Sequence, residues 1–269
     1  WGGVEENDNV ALDWFHKAAN GGDYRSYRFL GHIYSEGKVV KDDKLAQQWY
    51  QKALITIRKM AGDGVVYAQN LLGDMYYYGQ GVKQDYKESN KWYRKAADQG
   101  YLPSQIYLGV SYQYELGVKQ DYKQAMKWYH KPADQGYSVA QLNIGVLYDN
   151  KQDYNKALTW YHKAAKQGEQ HSQTMLGVMY YYGDGVEKKY KEAYQWYQKG
   201  ASNGSGDAKH RLGRWYLHGG EGVEKNIAEA IKLFKQTPDN STYELGLMNE
   251  LGWGMPMNKE QAKNLYQED

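Results

Sequence analysis

No cysteine occurs among the 269 residues, and there are only 4 prolines and 3 phenylalanines. The first absence excludes disulfide staples, thiolate zinc sites and cysteine nucleophiles, and it is compatible with cytoplasm and periplasm alike. Scarce proline leaves helices free to run without interruption. No apolar stretch approaches the roughly 18 residues that a membrane-spanning helix requires. Charge of one sign is not in excess, since 34 basic residues face 32 acidic ones for a net charge of +2, well mixed along the chain. Without a basic stripe, neither nucleic acid nor an anionic membrane surface is an expected partner. Also missing are Gly-x-Ser-x-Gly, His-Glu-x-x-His, a P-loop and a dinucleotide fingerprint. The expectation is a chain without cofactor, metal or catalysis.

What the chain has is a repeat. A small residue followed by a Leu-Gly or Ile-Gly step recurs at Gly31, Gly73, Gly109, Gly145, Gly177, Gly213 and Gly246. An aromatic slot follows about twenty residues later, at Trp14, Trp49, Trp92, Trp128, Trp160 and Trp196, and then weakens to Leu233 and Leu265. A period near 36 residues over a whole chain marks a solenoid, in which one supersecondary unit stacks on copies of itself.

The copy from Gly64 to Gly100 shows what the unit is. Ala68, Leu72 and Tyr76 stand four apart and share one helix face. Gly73 costs about 1 kcal/mol in a helix interior relative to alanine. Its recurrence therefore predicts close packing, with a second helix pressing its backbone or an indole into the gap. Gly79-Gln80-Gly81-Val82 reads as a turn whose glycines supply positive φ. Asp85 is placed to cap a second helix carrying Trp92 and Tyr93, and Gly100 to end it.

These elements, small-x-x-x-Leu-Gly-x-x-Tyr, Gly-x-Gly-Val, Asp-Tyr and Trp-Tyr-x-Lys-Ala-Ala-x-x-Gly, closely resemble the Sel-one-like repeat family, a relative of the tetratricopeptide repeats, over essentially the whole chain. The resemblance implies an all-α, right-handed α-solenoid of about seven helix-turn-helix repeats whose first helices line the concave side. It also implies a non-enzymatic role in assembling or holding other proteins. Bacterial members are often exported and concerned with the envelope or host contact, so a periplasmic or secreted protein is expected. Some members act as immunity proteins against a secreted toxin or lipase effector, which is the alternative. A third reading, a β-lactamase-like hydrolase, follows cysteine-rich relatives whose cysteines this chain lacks.

Departures from the pattern divide the single solenoid, residues 1–269. It opens inside a unit, with Trp1-Gly2-Gly3-Val4 as an inter-helix turn and residues 1–22 as an orphan second helix, so the native protein is expected to extend further. Leu54 to Ala61 is an insertion that lengthens a helix or its loop. The Gly-x-Gly-Val turn is missing between Tyr148 and Tyr154, and Pro132 replaces an alanine near a helix end. Residues 239–269 form a degenerate capping repeat, with Asn249 for Tyr and Leu265 for Trp.

Of the 29 tyrosines, sixteen fall at repeat-structural positions, whereas Tyr77, Tyr78, Tyr181 and Tyr182 lie just beyond one and are candidates for contact with a partner. His16, His130 and His162 recur two residues after the tryptophan slot and read as a surface ladder rather than a metal site. The positions that vary most lie at minus three, plus one and plus four from each Leu-Gly glycine. They form a stripe opposite the small-Leu-Tyr face: Arg28, His32 and Ser35, then Asn70, Asp74 and Tyr77, then Ile106, Val110 and Gln113. The stripe continues through Leu142, Val146 and Asp149, Thr174, Val178 and Tyr181, His210, Arg214 and Leu217, and Tyr243, Leu247 and Glu250. An apolar centre with polar ends is how a protein interface is organised. The stripe is the expected partner-binding groove; the competing expectation is that its centre packs against adjacent first helices.

Overall fold

A computed structural model describes residues 8–37, 41–220 and 222–267. The opening turn expected at residues 1–4 lies outside them. Among the described residues the regular elements are fifteen α-helices. One orphan, α1 (Asp8–Asn20), precedes seven pairs: α2 (Tyr24–Glu36) with α3 (Asp43–Gly62), α4 (Val66–Tyr78) with α5 (Tyr86–Asp98), α6 (Leu102–Tyr114) with α7 (Tyr122–Asp134), α8 (Ser138–Asp149) with α9 (Tyr154–Ala165), α10 (Gln170–Tyr182) with α11 (Tyr190–Ser202), α12 (Gly206–His218) with α13 (Ile227–Lys235), and α14 (Pro238–Leu251) with α15 (Lys259–Gln267). The chain is an all-α solenoid of repeated helix pairs. It forms two compact units, Trp1–Pro132 and Ala133–Asp269. The insertion at Leu54–Ala61 extends α3 to 20 residues and buries Leu54, Ile57 and Ala61 along one face.

The recurring residues have separate physical duties. Asp42, Asp85, Asp153 and Asn226 each stand before a second helix and accept from the amide three residues on, at 2.8, 3.0, 3.4 and 3.0 Å. Each thereby satisfies an N–H that the helix itself leaves open. The Lys three residues beyond the tryptophan lies over its ring, at 4.0 Å for Lys52 on Trp49 and for Lys95 on Trp92, and at 3.9 Å for Lys163 on Trp160. That cation–π contact explains the Trp-x-x-Lys spacing. Gly81 in the turn has φ +70°, and a Cβ there would lie 2.8 Å from the backbone of Tyr50 and Gln51 in the preceding second helix. Positive φ and close approach thus both demand glycine.

The repeated helix glycine is a packing site, but neither an indole nor a backbone fills the gap. The ring that follows the tryptophan slot fills it. A Cβ on Gly31, Gly73, Gly145, Gly177 or Gly213 would lie 2.5 or 2.6 Å from the ring of Tyr50, Tyr93, Tyr161, Tyr197 or Phe234, and one on Gly109 would lie closer still to Tyr129. The tryptophan cannot take that place because it projects one residue earlier on the helix, about 100° away. Each such ring is almost wholly buried, which stabilises the pair by about 2–3 kcal/mol.

A second device recurs without having been anticipated. Gln69, Gln105, Gln141 and Gln173, each following the small residue, donate Nε2 to the carbonyl of Ala61, Ala97, Ala133 and Ala165 at 3.0–3.3 Å. Gln99, Gln167 and Asn203, from the end of the next second helix, donate to Gln69, Gln141 and Gln173 at 2.8–2.9 Å. These amides pair the open C-terminal carbonyls of the second helices and tie neighbouring pairs together.

Candidate functional site

The glycine-filling ring decides where the stripe residues go. A buried phenol needs a hydrogen-bond partner, and the stripe supplies it. Tyr93 donates to Asp74 Oδ1 at 2.9 Å, Tyr129 to Gln113 Oε1 at 2.8 Å and Tyr161 to Asp149 Oδ2 at 3.1 Å, while Tyr50 and Ser35 hydroxyls meet at 3.3 Å. Where the filling ring is Phe234, with no hydroxyl, the matching stripe position is the buried Leu217 in the same apolar cluster. Asp74, Gln113 and Leu217 are buried for that reason, and Asn70 and Thr174 are buried as well. The expectation of a continuous groove surface is corrected at those five positions.

In the first unit the stripe closes on itself. Arg28 donates to Asp74 Oδ2 at 3.3 Å, Asn70 bonds the same carboxylate at 3.4 Å, and Ser104 donates to Asn70 Oδ1 at 2.8 Å. Burial raises the Asp74 pKa to about 6 against the lowering pull of Arg28 and the Tyr93 hydroxyl. His32 sets its edge against the Tyr50 ring at 5.6 Å, and burial lowers its pKa. Tyr77 sits among Tyr78, Tyr86, Tyr93 and Tyr107 at centroid distances of 4.8–6.4 Å. Tyr107 stacks flat on Tyr93, 4.8 Å apart and 6° from parallel. Ile106 and Val110 are half-buried.

Stripe residues of the second unit divide between packing and exposure. Leu142 and Val146 pack on the cluster of Tyr161 and Leu176, and Val178 on that of Tyr197 and Trp215. Thr174 donates to the carbonyl of Gln170 at 2.9 Å and meets the Ser205 hydroxyl at 2.9 Å. His210 and Arg214 converge on Glu244, at 3.5 and 3.8 Å, and burial lowers the His210 pKa. Tyr181 and Arg214 are exposed.

Between α10, the start of α11 and α12 the surface opens into a recess of about 350 Å³. Tyr181, Tyr182, Tyr190 and Tyr197 form its aromatic wall, and Arg211, Arg214, Trp215 and His218 complete it. Tyr181 makes edge-on contacts with Tyr182, Tyr190 and Trp215 at 4.9, 5.3 and 5.6 Å. Arg211 Nε is held by Asp207 at 3.0 Å, with its guanidinium 5.9 Å from the Tyr197 ring centre. Of these residues only Tyr181 and Arg214 belong to the predicted stripe, with Tyr182 flagged beside it. Trp215 offered a legible signal, since it is a tryptophan inside a first helix, away from the repeat's aromatic slot.

Two of the outer histidines, His16 and His162, are ring-packing residues rather than members of a plain surface ladder. His16 Nε2 meets the Tyr34 hydroxyl at 3.1 Å and the ring abuts Trp49, and His162 abuts Trp196 at 5.5 Å in the same way. Ser35 stands three residues before Lys38, the spacing of a β-lactamase-type nucleophile. Its hydroxyl donates to the His32 carbonyl at 3.0 Å, and Lys38 lies outside the described residues. Among the described residues no three His, Asp or Glu side chains gather to hold a metal, and no helix is long and apolar enough to cross a membrane.

A family model described as the Sel1 repeat matches residues 1–23, 25–54, 66–101, 102–137, 138–169, 170–205, 206–237 and 240–268. The chain belongs to the Sel1 repeat family. Residues 55–65, unmatched, carry the extension of α3. Sel1 repeat proteins typically mediate protein–protein interaction and are generally non-enzymatic scaffolds. A Sel1 repeat protein from Oxalobacter formigenes is 31% identical with a TM-score of 0.76, over 91% of this chain and 98% of that one. The protein c5321, a protective antigen present in uropathogenic Escherichia coli strains, is 29% identical with a TM-score of 0.62 over 96% of this chain, which spans 63% of its length. Immunity protein Pa5087 from Pseudomonas aeruginosa is 23% identical with a TM-score of 0.50, over 73% of this chain and 74% of its own, and shares the fold. No curated protein matches the chain.

Proposed function

We propose that this Sel1 repeat protein is a stoichiometric, non-enzymatic scaffold that holds one partner protein against its first helices. The observation that carries the reading is the recess at α10–α12. Aromatic rings and arginines are the residue types that concentrate binding energy at protein interfaces. The half-buried Ile106, Val110, Leu142, Val146 and Val178 contribute shape at the face rather than open anchors. The proposed setting is periplasmic or secreted, the expectation that the family resemblance raised.

Purified protein should retain one protein from its native extract at a fixed ratio and turn over neither an ester nor a β-lactam. If the partner is an enzyme, its activity should persist in the complex. A linear fall of that activity to an equivalence point would assign the inhibitor role instead, as in an immunity protein. Turnover abolished by a single substitution in this chain would sink both.

A further inference from the structure

We propose that the recess is a pocket for a carboxylate that adjoins an aromatic side chain on the partner, a proposal that rests on the protein-binding reading above. The argument comes from an internal duplicate. Tyr77, Tyr78, Tyr86 and Tyr93 stand at the same offsets from Gly73 as Tyr181, Tyr182, Tyr190 and Tyr197 from Gly177. One tyrosine frame is therefore built twice, and what differs is the first helix that follows it. Beside the first copy stand Tyr107, Val110, Ser111 and Tyr114; beside the second, at matching offsets, stand Arg211, Arg214, Trp215 and His218. In the first copy Tyr107 lies flat on Tyr93 and occupies the space over it. In the second an arginine stands in that position, and the recess opens.

The chemistry of the substituted positions points to an acid. Every one of them becomes a guanidinium, an indole or an imidazole, and among the described residues no carboxylate lines the recess. Asp207 takes Arg211 Nε at 3.0 Å and Glu244 stands 3.8 Å from Arg214 Nε, and the terminal guanidinium nitrogens of the exposed Arg214 remain for a second anion. Trp215 gives its N–H to the Gly220 carbonyl at 3.1 Å, so the indole contributes ring surface. Rings in edge-on array beside a guanidinium accept another ring, and about 350 Å³ is room for one or two side chains. The acid can come from the partner's C-terminus or from an internal Asp or Glu.

Isothermal titration calorimetry with four N-acetylated peptides separates these sources: Gly-Ser-Gly-Phe-Phe with a free C-terminus, the same peptide as its amide, and the amides Gly-Ser-Glu-Phe-Gly and Gly-Ser-Gln-Phe-Gly. At least one acidic peptide should bind saturably and about tenfold tighter than its uncharged counterpart. The free-terminus peptide identifies a chain end, and the glutamate peptide an internal side chain. Arg214→Gln and Tyr182→Ala, both at exposed positions, should each weaken that binding about tenfold, whereas Tyr78→Ala in the first copy should leave it unchanged. Equal binding of charged and uncharged peptides, no binding of any, or indifference to Arg214→Gln overturns the proposal. If the peptides fail while a partner is still retained from extract, the pocket falls and the scaffold stands; acid-dependent peptide binding without a retained partner gives the reverse.

Discussion

The two copies of the tyrosine frame, one in each compact unit, show how the same aromatic scaffold becomes core or surface. At Gly73 the next stripe position is Asp74, which takes the Tyr93 hydroxyl and the Arg28 guanidinium. At Gly177 it is Val178, which offers no acceptor, and Tyr197 has Arg211 beside it instead. Then the following helix brings either a stacking tyrosine or a pair of arginines. Rings alone do not make a binding site here. What makes one is whether the neighbouring helix spends its side chains on those rings.

The largest test of that contrast is Asp74→Ala, which strands Arg28 and leaves Tyr93 without its acceptor. It should cost about 3 kcal/mol in chemical denaturation, while Val178→Ala, at the matching position, should cost about 1 kcal/mol. Similar losses from the two would erase the distinction between a closed polar network and an apolar neighbour. Gly73→Val and Gly177→Val sharpen the comparison from the other side. Both glycines receive a tyrosine ring at the same distance, so both substitutions should cost about 2 kcal/mol as overpacking. A wild-type melting temperature for either would contradict the close approach.

The pH dependence separates the units more finely. The Asp74 carboxyl, raised from 3.8 to about 6, binds its proton more tightly in the folded chain than in the unfolded one. Its contribution is therefore greatest below about pH 4 and declines as pH rises to about 6. The stability difference between wild type and Asp74→Asn should narrow over that window by on the order of 2 kcal/mol. A difference that is flat in pH would mean that Asp74 titrates normally. The smallest effect expected is that of Arg214→Gln on folding, within about 0.5 kcal/mol, because Arg214 is exposed and its ion pair is long. A loss of several kcal/mol would make Arg214 structural.

Much of the architecture was legible because a repeat tests every inference several times. Gly73, Asp85 and Gly100 each pointed to a helix interior, a cap or a terminus, and sister residues in most of the other copies supported each. Less visible was which ring enters the glycine gap, since Trp92 and Tyr93 are adjacent and either could turn inward; only the helix phase decides. The stripe was misjudged at Asp74 and Gln113 for a related reason. A polar side chain that varies between repeats reads as surface, yet here it varies because each buried tyrosine hydroxyl finds its own partner. Leu217 opposite Phe234 is the same rule with the hydroxyl removed. The Gln69–Gln99 pairing was present as a recurring Ala-Gln or Ser-Gln step, but a buried amide has no period of its own to reveal it. The recess stayed hidden because its residues come from three helices, and Trp215 alone broke register.

The most direct test of the recognition face is hydroxyl-radical footprinting of the free protein and of its complex with the retained partner. Tyr78 and Tyr182 occupy matching positions and are almost equally exposed, at 53% and 55%, so any difference between them reports the partner and not the fold. Tyr181, Tyr182 and His218 should lose reactivity in the complex while Tyr78 keeps its own. Protection of Tyr78 with Tyr182 unchanged would place recognition on the first copy of the frame and contradict the account.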